Sequence, residues 1–481
     1  MASTWIWRGS YDRLEQISST GKQVHTSGER NGQPLSARPW TAVDPGDAVL
    51  AWSDMRPIDS VRFAGAWILN VNGSLAARMD GEEKRRIWVR AGLSGGSPLE
   101  SERLYRVSIV HLEPVEMVRI DVSGRGQLNE LEGAIGSGSL SADRSIGRLP
   151  EDPALRRVAR TAAQALYALG LDIGEAEVAL GGDGRTAVRA AWPKLRDTRL
   201  EAVSLRRFAA WHAAAGAETA DRRLLIGADP EFVLVTPAGK VAAASRFFGA
   251  GVGGAAGADA VLVGRRLLYP VAELRPEPAE DPATLAANVR RLLLRAADRI
   301  RDPALRWAAG AMPVPGLALG GHIHLSGAPL TSRLLRLLDS YAAFPLALVE
   351  DPAGRARRPR YGTLGDFRQQ PHGGFEYRTL PSWLISPAAA KAVFALALLC
   401  AREAMTLPYI PALDERYVSA YYAGDRSELA GCLNGVASSL ASAPSYPALA
   451  PYIEPLLEAA RRGTAWDERT DIRVKWRIPH Q

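Results

Sequence analysis

Cysteine is scarce in this chain, with two residues, Cys400 and Cys432, among 481. They have no metal-ligand spacing and build no disulfide framework, which fits a reducing cytoplasm. Long apolar runs are missing too. None reaches the roughly 18–20 residues needed to cross a bilayer, and the longest, residues 388–400, reads as a buried helix. The first residues, MASTWIWRGSYDRLEQ, lack a basic segment followed by an apolar core, so no secretory signal is expected. Internal repeats are absent. These absences point to a cytoplasmic protein with no membrane partner.

What is present is ordinary globular material. The 481 residues imply two or three domains, and 47% hydrophobic with 23% charged residues is the usual soluble balance. The net charge of +7 comes almost wholly from scattered arginines, with one dense run at 355–360 (RARRPR). A nucleic-acid binder more often interleaves a basic stripe with exposed aromatics, so no nucleic-acid partner is expected. The run reads as solvated surface. The alternative is that some of its arginines serve bound phosphate, whose oxygens match the guanidinium fork.

The chain separates by texture. Residues 1–120 carry short strand-like runs at 48–52, 66–71 and 105–112. Residues 121–150 are rich in Gly and Ser and read as a linker or loop. Asp152-Pro153 opens a helix through Leu169, and strands at 176–180 and 186–191 follow across a Gly-Gly-Asp-Gly turn. From Leu224 the pattern becomes strand, turn, strand and long helix. Residues 224–235 read as a strand interrupted by Gly and Pro, and 269–274 as another. Helices are expected from Asp281-Pro282 to about Ile300, over 331–349, and over 386–403 behind Ser386-Pro387. Strands segregated from helices predict α+β rather than a doubly wound sheet.

Chemistry concentrates in four short segments. Asp229-Pro230-Glu231-Phe232 sets two carboxylates two apart on a strand, hence on one face. That is costly in like-charge repulsion unless a cation lies between them. Glu273-Leu274-Arg275-Pro276-Glu277 comes next, with Glu280 just beyond. Gly320-Gly321-His322-Ile323-His324-Leu325-Ser326 places two imidazoles on one strand face. Glu376-Tyr377-Arg378-Thr379-Leu380-Pro381 again sets an acid and an arginine two apart. Singly, each has a bland reading: a solvated acid pair, a structural His pair, a local ion pair. Their ordered combination is what Mg²⁺ ions and a nucleotide γ-phosphate require.

The motifs resemble a known superfamily. DPEF is similar to the Glu-Pro-Glu-Phe strand of glutamine synthetases, GGHIHLSG to their Gly-x-x-His-x-His-x-Ser strand, and EYRTLP to their Glu-x-Arg-x-Pro strand. More closely, GADPEF, ELRPEP, GGHIHLSG, RYGTLGDFR and GGFEYRTLPSWL resemble the phage-type carboxylate–amine ligase (amidoligase) family over about 180 residues. The resemblance implies ATP and Mg²⁺ (or Mn²⁺) as cofactors, and a small-molecule or peptide carboxylate and an amine as substrates. It implies Asp229, Glu231, Glu273, His322 and Glu376 as metal ligands. It places His324, Ser326 and Arg378 near the nucleotide, and makes Arg378, Arg360 and Arg368 the phosphate or substrate arginines. The chain departs from glutamine synthetase in having Asp229 for the first glutamate and in lacking the second downstream glutamate at its usual spacing. Glu277, Glu280 and Asp259 remain open as replacements, with Asp259 equally readable as a turn residue.

The stretch 156–193 and YRVSIVHLEPVEMVRI resemble remnants of an ATP-grasp domain, but Val188–Pro193 has neither the acid nor the asparagine that such a strand uses for Mg²⁺. The expected architecture is therefore α+β. A glutamine-synthetase-like antiparallel sheet with packed helices spans 221–404 and a helical extension 405–481. An N-terminal α/β domain resembling a degenerate ATP-grasp spans 1–120, followed by the linker and a remnant at 151–220 packed on it. The implied activity is amide-bond formation through an acyl phosphate, with oligomerisation open. A guanidino-kinase-like phosphotransferase and a non-catalytic nucleotide-binding protein are the competing readings.

Overall fold

The computed structural model describes residues 2–10, 14–17, 43–63, 65–96, 99–120, 151–218, 223–249, 254–263, 266–371 and 373–479. The expected linker at 121–150 lies outside the described residues. The chain forms two compact units, Met1–Ala220 and Asp221–Gln481.

The first unit holds two four-stranded sheets. One is mixed, built from β1 (Thr4–Trp7), β2 (Leu14–Ile17), β3 (Ala48–Ala51) and β4 (Trp67–Leu69) in the order β2-β1-β3-β4. β1–β3 and β3–β4 run parallel and β1–β2 antiparallel. The other is antiparallel, β6-β5-β7-β8, from β5 (Arg103–Val110), β6 (Glu113–Ile120), β7 (Ile173–Leu180) and β8 (Thr186–Trp192). The helix Pro153–Ala168 lies across this sheet. Asp152 caps it and Pro153 opens it, and its Leu155, Val158, Ala162 and Leu166 are buried in the core with Val107, Ala176 and Val178. A long helix, Thr198–Glu218, follows where the sequence reading had placed none. Its alanine-rich run offers no distinct apolar stripe.

The second unit is built on one antiparallel sheet of eight strands. These are β9 (Leu225–Val235), β10 (Val241–Ala242), β11 (Ala256–Val263), β12 (Arg266–Leu274), β13 (Arg306–Ala308), β14 (Gly321–Ser326), β15 (Phe367–Gln369) and β16 (Phe375–Tyr377). The order is β11-β12-β9-β14-β16-β15, with β10 and β13 also on β9. β9 runs unbroken through Gly227 and Pro230, where an interruption was expected. Period-two alternation gives the sheet two unlike faces. Ile226, Phe232, Leu234, Ile323, Leu325, Phe375 and Tyr377 are buried on one. Packed against β9 and β14 is the helix Pro387–Arg402, which also touches the helices Pro282–Arg299 and Tyr446–Arg461. Ser386 caps it through the Ala389 N–H, as Asp281 caps the helix Pro282–Arg299. The stretch 331–349 is not one regular helix: a π-helical segment, Asp339–Ala343, separates Ser332–Leu338 from Phe344–Val349.

The C-terminal helices belong to this unit. Glu468, near the end of the chain, accepts the N–H groups of Ala311, Met312 and Asp351, and Trp476 Nε1 donates to Leu384 O at 2.6 Å. Among the described residues no helix is long and apolar enough to cross a membrane.

Candidate active site

The other face of the sheet carries the polar residues. Register brings them into one row: Glu273 lies opposite Glu231, His322 opposite Asp229, His324 opposite Gly227 and Glu376, and Arg368 opposite Glu376. Four strands, β12, β9, β14 and β16, thus deliver six of the expected residues side by side. Their carboxylates are nearly closed to solvent, with Asp229, Glu231, Glu273 and Glu376 all under one-tenth exposed. Burying four acids together is strongly unfavourable unless cations accompany them.

Part of that compensation comes from within. His322 Nδ1 stands 3.2 Å from Asp229 Oδ1 and 3.2 Å from Glu376 Oε1, and His324 Nε2 stands 3.1 Å from Asp229 Oδ2. Burial opposes charge on His322, but the Asp229 and Glu376 carboxylates outweigh it and push the imidazole up to about 10. Burial likewise opposes ionisation of Asp229, and the two imidazoles reverse it, holding that carboxyl well below its ordinary range. At Glu376, too, His322 overcomes burial and lowers the carboxyl. Glu273 goes the other way: burial, then the charge of Asp229, push it up to about 7 against the pull of Arg275. Burial also raises Glu231.

The close approaches are not hydrogen bonds. Asp229 Oδ1, His322 Nδ1, His324 Nε2, Glu376 Oε1 and Arg378 Nε are all buried without an aligned partner. Donors about 2.1 Å from one octahedral ion stand about 3 Å from each other, which is the spacing of His322 Nδ1 from its two carboxylate oxygens. Donor atoms of Asp229, His324 and Glu376 lie within 4.8 Å of one another, and so do those of Glu231, Asp259 and Glu273. Asp259 is on β11 rather than in a turn, and the register places it opposite Val271, two residues from Glu273. Glu277 and Glu280 do not enter either group among the described residues. Glu280 pairs with Arg223, and Glu277 offers its carbonyl to Asn288 Nδ2.

Arginines close both ends of the row. Arg368 pairs with Glu376, Arg378 Nε lies 3.2 Å from Glu376 Oε1, and Arg275 Nη2 lies 2.5 Å from Glu273 Oε1. Arg360 is exposed, with its guanidinium 5.3 Å from the centre of the Tyr361 ring. Ser326 ends β14 two residues beyond His324, on the same face. Sequence reading missed Gln370, whose Nε2 donates to Glu376 Oε2 at 3.2 Å, and Gly320, whose N–H donates to Glu231 Oε2 at 2.7 Å. The Gly-Gly pair before His322 was the available signal for the second. Reading the run 355–360 as solvated surface also needs correction. Arg357 is 2% exposed and donates to Leu380 O, and Arg358 is buried against Glu350 at 2.6 Å and over the Tyr421 ring. The 3₁₀ turn Pro352–Arg357 turns these two inward and leaves Arg355 out.

The family described as phage phiEco32-like COOH.NH2 ligase-type 2 matches residues 226–478, more than half of the chain. The chain belongs to this family. The match takes in every strand of the acid row and runs on through the C-terminal helices. The carboxylate–amine ligase family thus accounts for the second unit, and the first lies before the match. No curated protein matches the sequence. Among solved structures, a bifunctional glutathione synthetase from Pasteurella multocida is similar over 56% of this chain and 53% of its own, at 10% identity and a TM-score of 0.34. The chain therefore spans about half the length of that protein. Apo GmaS without ligand is similar over 58% of this chain and 78% of its own, at 14% identity and a TM-score of 0.29.

Proposed function

We propose that the second unit joins a small-molecule or peptide carboxylate to an amine at the expense of ATP, with Mg²⁺ or Mn²⁺ held by the acid row. The observation that carries this is the trio of buried, unaligned donor atoms, His322 Nδ1, Asp229 Oδ1 and Glu376 Oε1, beside a second group made only of carboxylates. The first group would hold one divalent ion, with His324 in reach of it. Glu231, Asp259 and Glu273 would hold another. Such ions neutralise phosphate charge and act as Lewis acids.

In the proposed reaction a substrate carboxylate oxygen attacks the γ-phosphorus, the bond to the β-phosphate oxygen breaks, and ADP leaves. The amine nitrogen then attacks the acyl carbon and loses a proton, and phosphate departs as the amide forms. Arg378 and Arg368, which pair with Glu376, would meet phosphate oxygens. Their contribution is charge neutralisation and positioning. Arg360 would need to turn from Tyr361 to take part. Ser326 and His324 would face the nucleotide at the end of β14.

The first unit is read as an ATP-grasp-like remnant with no working nucleotide site. In support, Val188–Trp192 on β8 offers neither an acid nor an asparagine, and Arg189 there is held by Glu102 at 2.6 Å. A cytoplasmic setting follows from the cysteine usage.

The deciding experiment is an ADP-release screen of carboxylates crossed with amines, with mass spectrometry of the product. An acid–amine pair giving one amide per ADP supports the ligase. ADP without a new amide would favour phosphotransfer to a guanidine, and tight Mg·ATP binding without ADP a non-catalytic binding protein.

A further inference from the structure

Arg275 has no role in the reading above. It follows β12 immediately, two residues after Glu273, so its side chain leaves the chain on the same face of the sheet as the acids. Its Nη2 lies 2.5 Å from Glu273 Oε1, the side chain is mostly enclosed, and Nη1 reaches toward Gly254 O at 3.4 Å. The main chain fixes its root: the Arg275 N–H donates to Ala255 O at 2.8 Å. The Glu273 carboxylate it holds is one of three whose oxygens converge within 4.8 Å, and the other two, Glu231 and Asp259, have no arginine or lysine ion pair among the described residues.

We propose that Arg275 is the resident counter-cation of the Glu231, Asp259 and Glu273 group, and that it competes with the divalent ion for Glu273. The inference rests on the metal-binding part of the proposed function. A guanidinium and a divalent ion cannot share one carboxylate oxygen at contact distance without strong repulsion. Entry of the ion therefore displaces Arg275, and the cost of displacing it lowers the affinity of this group for the ion. The enclosed position makes this competition stronger than solvent would allow, because water screens the pair poorly there. The freed guanidinium would then lie beside a newly positive site, with its fork available to an oxyanion.

The test is Mn²⁺ binding by the full chain, followed by electron paramagnetic resonance of the free ion, without nucleotide or substrate. Arg275→Gln should tighten one class of site by about tenfold or more, and Arg275→Lys, which keeps the charge, should stay within about twofold of the unaltered protein. Adding Glu273→Gln to Arg275→Gln should remove the gain, since the competition is for that carboxylate. Thermal unfolding of each variant verifies that it is folded. If Arg275→Gln leaves both classes unchanged, or weakens one, Arg275 positions Glu273 instead and the proposal is overturned. Equal tightening by Lys and Gln would overturn it as well, because charge would not be the cause. Mn²⁺ binding that responds to Arg275 without any ADP-forming reaction would sink the ligase reading alone. Absence of Mn²⁺ binding in every variant would sink both.

Discussion

His322 and Glu376 come from strands β14 and β16, and their side chains meet with Nδ1 3.2 Å from Oε1, buried and out of hydrogen-bond alignment. His324, on the same strand face, is more open and approaches Asp229 through the other carboxylate oxygen. The two imidazoles therefore differ in kind. His322 sits between two acids at ligand spacing, and His324 sits at their edge.

Replacing each should separate them. His322→Asn is expected to weaken Mn²⁺ binding on the order of 100-fold, since loss of even an outer-shell partner costs 10–100-fold. His324→Asn should cost less there and act more on Mg·ATP affinity. Isothermal titration with Mn²⁺ and with Mg·ATP checks both. A larger metal defect in the His324 variant would reverse the assignment.

How much of this was legible before the fold was known depends on which physical rule was needed. Strand alternation alone puts Asp229 with Glu231, His322 with His324, and Glu376 with Arg378 on common faces, and it holds whatever the register. Which acid faces which histidine depends on pairing between β9 and β14, about ninety residues apart in the chain, and no local pattern encodes that. Pro230 and Gly227 made β9 look broken, because both residues are disfavoured in strand interiors. Asp259 stayed open between a site acid and a turn residue for a similar reason: glycines precede it, and its strand exists only through pairing with β12. The buried arginines failed differently. Arg357 and Arg358 lie between Pro352 and Pro359 in a stretch rich in turn signals and carry full charges, yet Glu350, Tyr421 and the Leu380 carbonyl receive them.

The C-terminal segment should be essential to the second unit. Glu468 is 4% exposed and satisfies three backbone N–H groups, on Ala311, Met312 and Asp351. Removing the carboxylate leaves those donors unpaired, at about 1–3 kcal/mol for a buried group. Glu468→Ala is expected to destabilise the unit by about 3 kcal/mol in urea unfolding. Gly310→Ala should do comparable harm, because a Cβ there would stand 2.1 Å from Glu468 Cδ and the residue has φ +124°. A loss below about 0.5 kcal/mol for both would mean that the tail is peripheral.

The first unit carries a pH dependence of its own. His111 is half-buried, its ring packed against Trp67, Trp211 and Phe208 with the enclosed Nε2 lacking a partner, and burial, helped by the charge of His212, pushes it down to about 3. The unfolded chain protonates the same group below about 6.5, so between these values the unfolded state binds more protons. Stability from this site is thus complete above pH 6.5 and is lost as pH falls toward 3, at up to roughly 1.4 kcal/mol per pH unit. His212, whose imidazole burial also lowers, adds in the same direction. His111→Asn tolerates the left-handed backbone found there, φ +53°. It should be less stable at neutral pH through lost packing, but with a shallower decline from pH 6.5 to 4. Parallel declines in urea titrations across that range would show that His111 does not titrate with unfolding.

Arg378 offers the sharpest test of catalysis. It is two residues beyond Glu376 and its Nε stands 3.2 Å from Glu376 Oε1 without hydrogen-bond alignment. Its side chain is 37% exposed, so the guanidinium is anchored at one edge and open at the other. An ion on Glu376 would weaken that pairing and leave the fork facing the phosphate the ion holds. Lysine keeps the charge but loses the planar pair of donors, and the two are not interchangeable where a phosphoryl group must be held in one orientation. Arg378→Lys should therefore lower kcat by roughly 10²-fold or more, as when a contact made in the transition state is lost, with a smaller change in Mg·ATP affinity. Arg355→Lys is the control, since that arginine is exposed on the turn that buries Arg357, and it should change neither constant by more than about twofold. Steady-state kinetics on the acid–amine pair found in the ADP screen, with nucleotide affinity measured separately, distinguishes the two outcomes. If both variants show equal and small effects, Arg378 is an ion-pair partner that shapes β16, and phosphate must be met from elsewhere in the row.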